Sequence, residues 1–410
     1  MAFCQEPSNV YVSNKNGEYK FIKNGKLFNV KGAGCEFGNF ELLAKCGANT
    51  VRTWRVDNGK ETGEQVMEKA YKNGLMVLMG LEMGLQRHGF NYDDTILVNK
   101  QKSEILKQVQ RLKDYPSLLA WGIGNELNLN STNSKVWKAV NEIAILIHQI
   151  DPNHPVTTML AGINKETFSL INTNCPALDF LSIQMYGDLI NLQTRIKDSG
   201  FKGPYVVSEW GATGHWEVAK TEWQSPIEQT SSEKAISIRN CYEKAIKADS
   251  LNCIGNFVFV WEQKQERTPT WYGLFSENGE QTEAIDVLYQ LWNNKWPSNR
   301  CPAVSAITIN NKKSLDNCYF HPGEKIKAII KASDPDNDKL IYNWEIMSES
   351  NDLATGGDRE SRPRTFSKIS TPVSFIAINV PKKSGAYRLF VYVLDGKNHA
   401  GTANIPFYVK

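Results

Sequence analysis

Two glutamates close apolar runs of this 410-residue chain: Leu118-Leu-Ala-Trp-Gly-Ile-Gly-Asn125-Glu126 and Pro204-Tyr-Val-Val-Ser-Glu209-Trp210-Gly211. Such runs read as strands buried on both faces. Two carboxyl groups at one cleft can divide the work of breaking a glycosidic bond: one protonates the leaving oxygen, and the other attacks the anomeric carbon or activates water. The division holds when their environments separate their proton affinities. One glutamate after an apolar strand reads as a loop start or a helix cap. Two of them, one preceded by Asn, read as a catalytic pair.

Other chemistries lack their residues. The six histidines are isolated, with no HxH and no HExxH, which weighs against a zinc hydrolase. Gly32, Gly34 and Gly38 have the spacing GxGxxxG, which is not a dinucleotide fingerprint, and neither a P-loop nor a GxSxG elbow is present. No metal and no cofactor are therefore expected. Asp334, Asp336 and Asp338, with Glu345 twelfth in register, mimic an EF-hand count. Lys339 replaces the sixth-position Gly, and an acidic hairpin turn is the better reading. The eight cysteines are scattered without a CxxC. Cys301 and Cys318 could pair, but buried thiols are the favoured reading.

With 47 Lys and Arg against 44 Asp and Glu, the net charge of +3 gives no drive toward nucleic acid or an anionic membrane. No apolar run reaches the roughly 18 residues of a membrane helix. The start, Met-Ala-Phe-Cys4, carries no signal peptide, although Cys4 would suit the first residue of a lipid-anchored exported protein. Aromatic residues are plentiful, with 11 Trp, 15 Tyr and 17 Phe; they fill cores or stack on flat ligand faces.

The elements that must position the glutamates follow from the pattern. Residues 18–31 read as a hairpin around Asn24-Gly25. Strand-like runs then fall near 28–33, 49–56, 75–82, 118–124, 156–161, 178–186, 204–208 and 254–261. Helical patterns lie between them, at Glu64–Lys72, Lys135–Ile150 and Ser232–Lys247 among others. Eight strand–helix units in about 280 residues are the arithmetic of a (β/α)8 TIM barrel, in which strand C-termini face the active site. Glu126 and Glu209 would end its fourth and seventh strands. After the linker Trp296–Pro302 the helical period stops, and short strands at 325–331, 340–346, 373–378, 386–394 and 403–409 suggest an all-β immunoglobulin-like sandwich. The expected division is an extension over 1–19, a barrel over 20–298 and a sandwich over 302–410.

Over roughly residues 20–297 the chain resembles glycoside hydrolase clan A, the retaining β-glycosidases on TIM barrels, through Gly124-Asn125-Glu126 and Ser208-Glu209-Trp210-Gly211. The resemblance implies Glu126 as acid/base, Glu209 as nucleophile, and Asn125 as holder of the sugar 2-hydroxyl. Ala48-Asn-Thr-Val-Arg52 looks like the clan's second-strand motif, whose Arg pairs with the nucleophile. Period two puts Arg52 and Trp54 on one face and the competing Arg55 on the other. Tyr186 ends the sixth strand, where the clan often has a Tyr bonded to the nucleophile. Trp261 ends the eighth, where members place a Trp beneath the sugar. Trp216, Trp223, Trp271 and Tyr272 fall in loops as sugar platforms or loop anchors, whereas Trp121 and Trp137 read as barrel packing.

The stretch from Cys46 to Leu78 resembles β-1,3-glucan-active families such as 72 and 158, and families 2 and 5 are also similar. The implied activity is an endo-β-1,3-glucanase on an oligo- or polysaccharide. The alternatives are a glucan transglycosylase at the same site or a non-catalytic polysaccharide-binding protein. The 332–344 segment resembles polycystic-kidney-disease or immunoglobulin-like modules of secreted carbohydrate enzymes, which implies an exported protein, expected to be a monomer.

Overall fold

The computed structural model describes residues 6–410; Cys4 lies outside them. The chain forms two compact units. The first comprises residues 6–185, Leu189–Trp210 and Cys241–Phe259; the second comprises Tyr186–Asp188, Gly211–Asn240 and Val260–Lys410.

The first unit begins with a three-stranded antiparallel sheet, β1 (Val10–Lys15), β2 (Glu18–Lys23) and β3 (Lys26–Phe28). The hairpin expected around Asn24-Gly25 is there, and β1 is an additional strand along its edge. Eight parallel strands follow: β4 (Gly32–Gly34), β5 (Thr50–Arg52), β6 (Met76–Leu81), β7 (Leu118–Asn125), β8 (Val156–Ala161), β9 (Leu181–Gln184), β10 (Tyr205–Trp210) and β11 (Cys253–Val258). They close into a barrel in chain order, with β11 pairing back to β4. The predicted (β/α)8 TIM barrel is therefore the observed fold.

The helices between strands are α1 (Phe40–Lys45), α2 (Gly63–Lys72), α3 (Thr95–Leu112), α4 (Lys135–Ile150), α5 (Lys165–Asn174), α6 (Leu192–Ser199) and α7 (Ser231–Cys241), with α8 (Glu283–Asn293) after the last strand. Local chemistry sets their starts. Thr62 and Gln65 form a reciprocal capping box on α2, and Asp94 accepts the Ile96 and Leu97 N–H groups at the start of α3; each cap satisfies donors that the first turn cannot. Every residue of β6 and β10 is buried. Trp121 and Trp137 pack this unit, as expected.

The N-terminal sheet covers one end of the barrel. Phe21 lies edge-on to Phe180 at 5.3 Å and shares a core with Met76, Leu119, Val206 and Ile254. These four stand at the beginnings of their strands, so the opposite, C-terminal end is the one left for a site. Ser8 donates to Leu118 O at 2.7 Å, and Val10 N donates to Asn153 O at 2.8 Å. These two bonds anchor the chain entry there.

The C-terminal region is all β. Its strands are β12 (Ala303–Val304), β13 (Thr308–Ile309), β14 (Cys318–Phe320), β15 (Lys325–Ile329), β16 (Ala332–Ser333), β17 (Ile341–Ser348), β18 (Thr365–Thr371), β19 (Phe375–Asn379), β20 (Gly385–Leu394) and β21 (Ala400–Val409). One sheet runs β13-β15-β19 and another β14-β21-β20-β17-β18. Alternate residues of both sheets, including Ile326, Ile378, Trp344, Val391 and Ile405, form one core, the pattern of a two-sheet sandwich. The five expected strands are present; β18 is a sixth long one, too polar in sequence to stand out.

The Cys301–Cys318 pairing does not occur. Both are buried free thiols: Cys318 lies on β14, paired with Phe407, while the Cys301 N–H donates to Asp286. The acidic turn is a turn. Asp334 Oδ1 accepts the Asp336 and Asp338 N–H groups at 2.8 and 3.1 Å, and Glu345 is spent on Arg362 at 3.0 Å.

Candidate active site

Glu209 is the penultimate residue of β10 and is only 5% exposed. Its Oε1 accepts three hydrogen bonds: from Arg52 Nη1 at 2.6 Å, Trp54 Nε1 at 2.8 Å and Gln184 Nε2 at 2.9 Å. Arg52 is fully buried at the end of β5, so each charge offsets the other's desolvation. The guanidinium also donates to Ser208 O at 3.2 Å and, through Nη2, to Asn125 Oδ1 at 2.5 Å. The competing Arg55 goes elsewhere, to Glu36 at 3.0 Å.

Gln184, at the end of β9, joins the two ends of this constellation. Its Nε2 also donates to Asn125 Oδ1, at 2.7 Å. With its oxygen held by Arg52 and Gln184, the Asn125 amide has one orientation. Gln184 Oε1 is buried and has no hydrogen-bond partner among the described residues.

Extra residues in the two glutamate-bearing strands create this convergence. Gly122 pairs with Thr157, but the next pair is Asn125 with Met159, so β7 spends one residue more than β8. Val207 pairs with Ile183, and then Glu209 with Gln184, so β10 likewise carries one extra residue against β9. Each is a bulge that re-aims the side chains beyond it. Without the second, Ser208 would stand opposite Gln184, and Glu209 would point to the other face. The first is held by Thr158 Oγ1, which donates to Ile123 O at 2.7 Å. Gly124 enters the turn at φ +69°.

Glu126 follows at φ +51°, a left-handed conformation costing a non-glycine residue about 1–2 kcal/mol. Its neighbours hold it there. Glu126 N donates to Met159 O at 3.0 Å. Asn128 pairs twice with the Ala161 backbone at 2.9 Å. Trp54 is placed by a close approach of backbones: a Cβ on Gly80 would stand 2.5 Å from Thr53 O, and Gly80 N donates to Thr53 Oγ1 at 3.0 Å.

The remaining predicted residues belong to the second unit. Tyr186 packs edge-on with Trp216 at 5.6 Å and with Tyr272 at 5.5 Å. His215 joins them, 4.9 Å from Trp216. Glu217 ties this cluster's backbone by accepting the Gly187, Asp188 and Gly214 N–H groups at 2.7–2.8 Å. Trp216 is 56% exposed, whereas Trp271 is buried and donates to Thr213 O at 2.9 Å. Trp261 is fully buried against Phe275. Trp223 packs on Tyr319 and Tyr408.

The structure thus gathers Arg52, Asn125 and Glu209 into one hydrogen-bonded group, with Glu126 next to Asn125 in the chain. Sequence reasoning missed Gln184 and did not assign Trp54 to the carboxylate. Trp54 was on the right face of its strand. Nothing marked Gln184, whose role depends on the bulge in its neighbour.

No family model matches this sequence, and no curated protein does. Solved structures do match by fold. An FMN-binding β-glucuronidase from Facaelibacterium prausnitzii L2-6 aligns at a TM-score of 0.51 and 13% identity, over 98% of this chain and 59% of its own. A calcium-binding mutant of Bacteroides uniformis β-glucuronidase 2 aligns at 0.52 and 12%, over 98% and 48%. A Bifidobacterium dentium β-glucuronidase complexed with coumarin-3-O-glucuronide aligns at 0.52 and 17%, over 69% and 49%. The chain spans about half the length of these neighbours. What it shares with them is the fold, and the neighbours that carry this fold are glycoside hydrolases.

Proposed function

We propose that the chain is a retaining β-glycosidase in which Glu209 is the nucleophile and Glu126 the acid/base. The observation that carries this reading is the buried Glu209 carboxylate, held at a barrel strand's C-terminal end by Arg52, Trp54 and Gln184. Three donors on Oε1 restrict the carboxylate to one orientation and oppose its rotation out of line as it attacks the anomeric carbon. Glu126 protonates the departing glycosidic oxygen. It then deprotonates the water that releases the sugar from Glu209, so its proton is returned over the cycle. Asn125 Nδ2 donates to the sugar 2-hydroxyl, a bond that strengthens as charge develops at the neighbouring carbon. Of Tyr186, Trp216, Trp261 and Trp271, read from the sequence as sugar contacts, Trp216 is exposed and suits stacking, whereas Trp261 and Trp271 are buried and pack the protein.

The substrate in this reading is a β-linked glucan, preferably β-1,3-linked and cut internally; the support is the resemblance of the Cys46–Leu78 stretch. The sandwich over 302–410 is taken as an immunoglobulin-like module, the barrel domain as 20–298, and the protein as an exported monomer. The test is a screen of β-1,3-, β-1,4- and mixed-linkage glucans, with aryl β-glucuronides added because of the neighbours. Products are sized to separate endo cleavage from transfer. New reducing ends from a β-1,3-glucan support the reading. Binding without any bond cleavage on the whole panel overturns it in favour of a polysaccharide-binding protein.

A further inference from the structure

A second cluster of reactive side chains lies in the second unit and plays no part in the proposed catalysis. Asp286 on α8, Cys301 in the segment that follows, and His399 just before β21 bring one carboxylate oxygen, one sulfur and one ring nitrogen within 4.8 Å of one another. Asp286 and Cys301 are buried, and the His399 side chain is 11% exposed. We propose that these three residues hold a divalent transition-metal ion, with zinc the ion their donors suit, as a clasp between α8, the segment after it and the β20–β21 turn.

The donor set argues for the class of ion. A thiolate with an imidazole and one carboxylate selects zinc-like metals over calcium or magnesium, which take oxygen ligands. Three protein ligands leave a fourth tetrahedral position for water.

The surroundings of His399 argue that the ring is already oriented. Its Nδ1 lies 3.0 Å from Asp395 Oδ2. That carboxylate is itself held: its Oδ1 accepts the Lys397 and His399 N–H groups at 2.7 and 3.1 Å, and its Oδ2 accepts Asn299 Nδ2 at 2.8 Å. Asn299 Nδ2 also lies 2.8 Å from His399 Nδ1, so Asp395 and Asn299 together fix the ring's orientation; the metal-binding tautomer is the one that keeps the proton on Nδ1 toward Asp395 and the lone pair on Nε2. Gln281 Nε2, 3.4 Å from His399 Nε2, is a donor and fits a lone pair at that atom.

The other two ligands are also positioned. The Cys301 N–H donates to Asp286 Oδ2 at 2.6 Å, and Cys301 Sγ lies 3.3 Å from Gln281 O. A buried carboxylate is costly unless hydrogen bonds or a cation compensate it, and a metal ion here would add to the bond from the Cys301 N–H. On binding, the Cys301 S–H bond breaks, its proton goes to solvent and a sulfur–metal bond forms, with no change of oxidation state. Ligand positions 286, 301 and 399 have no local spacing, so no sequence motif announces them.

The test uses the full chain after chelator treatment, titrated with Co2+ as a spectroscopic probe and then with Zn2+. The expected result is one equivalent of Co2+ with a thiolate charge-transfer band, displaced by Zn2+, and a rise in Tm on adding Zn2+. Cys301→Ser should lose the band, and His399→Gln and Asp286→Asn should each weaken binding at least tenfold. Glu104→Gln, on α3 in the first unit, should leave binding unchanged. Should Cys301→Ser fail to fold by circular dichroism, His399→Gln and Asp286→Asn decide the matter. Absence of the band in the wild type, its survival in Cys301→Ser, or unaltered binding in both other variants overturns the proposal. None of these readouts depends on glycan turnover, so the clasp and the glycosidase reading stand or fall separately.

Discussion

Gln184 Nε2 stands 2.9 Å from Glu209 Oε1, and the same atom reaches Asn125 Oδ1 at 2.7 Å. One amide thus sets the relative positions of the proposed nucleophile and the residue beside the proposed acid/base. Gln184→Leu keeps the volume and removes both bonds. It should lower kcat/KM for the best glucan by about 10- to 100-fold, or about 1.4–2.7 kcal/mol, with kcat carrying most of the loss. A fall in KM-dependent binding alone would show that Gln184 contacts substrate and does not orient the carboxylate.

Glu209→Ala should abolish turnover. Glu126→Ala should retain cleavage of aryl glycosides with good leaving groups, which need no proton, while losing polysaccharide cleavage. Proton NMR of the first product should show the β-anomer. An α-anomer as first product, or an active Glu209→Ala protein, contradicts the assignment.

Gly80 has no room for a side chain, because the backbone of Thr53 and Trp54 passes over it. Gly80→Ala should cost about 1–3 kcal/mol of stability from overpacking and should also lower kcat by displacing Trp54 from Glu209. Chemical denaturation measures the first effect and steady-state kinetics the second. A destabilised protein with normal kcat would separate Trp54 from catalysis.

Arg111 spans Asp57 at 3.1 Å and Glu64 at 2.7 Å. Its hydrogen bonds hold the Glu64 carboxyl down at about 2, and Asp57 below the usual range. A carboxyl depressed in the folded state stabilises above its unfolded value, near 4.5 for Glu64, and loses that contribution as pH falls toward 2. The side chains are about a third exposed, so screening limits the effect to about 1 kcal/mol. Arg111→Met should therefore be less stable than wild type at pH 7, with the difference shrinking between pH 4.5 and 2. A difference independent of pH would mean that Arg111 contributes packing alone.

Much of the barrel was legible because its strands are buried on both faces and its helices are not. Hydrophobic runs alternating with amphipathic segments at 63–72 and 135–150 leave little other way to bury both. The Asn125-Glu126 and Glu209 strand ends were legible for the same reason, since polar groups that interrupt such runs stand out. Arg52 was legible as a cation inside an apolar strand. β1 and β18 were not, because edge strands with exposed polar residues resemble loops until a partner is known.

The sequence by itself determined an eight-unit barrel, an all-β region after residue 302, and two glutamates at strand ends. Only the tertiary structure decided how those ends meet. A bulge of one residue in β7 and another in β10 reverse the period-two alternation just before Asn125 and Glu209, and no local pattern records which neighbouring strand lacks the matching residue. The grouping of Asp286, Cys301 and His399 is of the same kind. Distance along the chain carries no information about which side chains converge, because convergence is set by strand register and packing between elements.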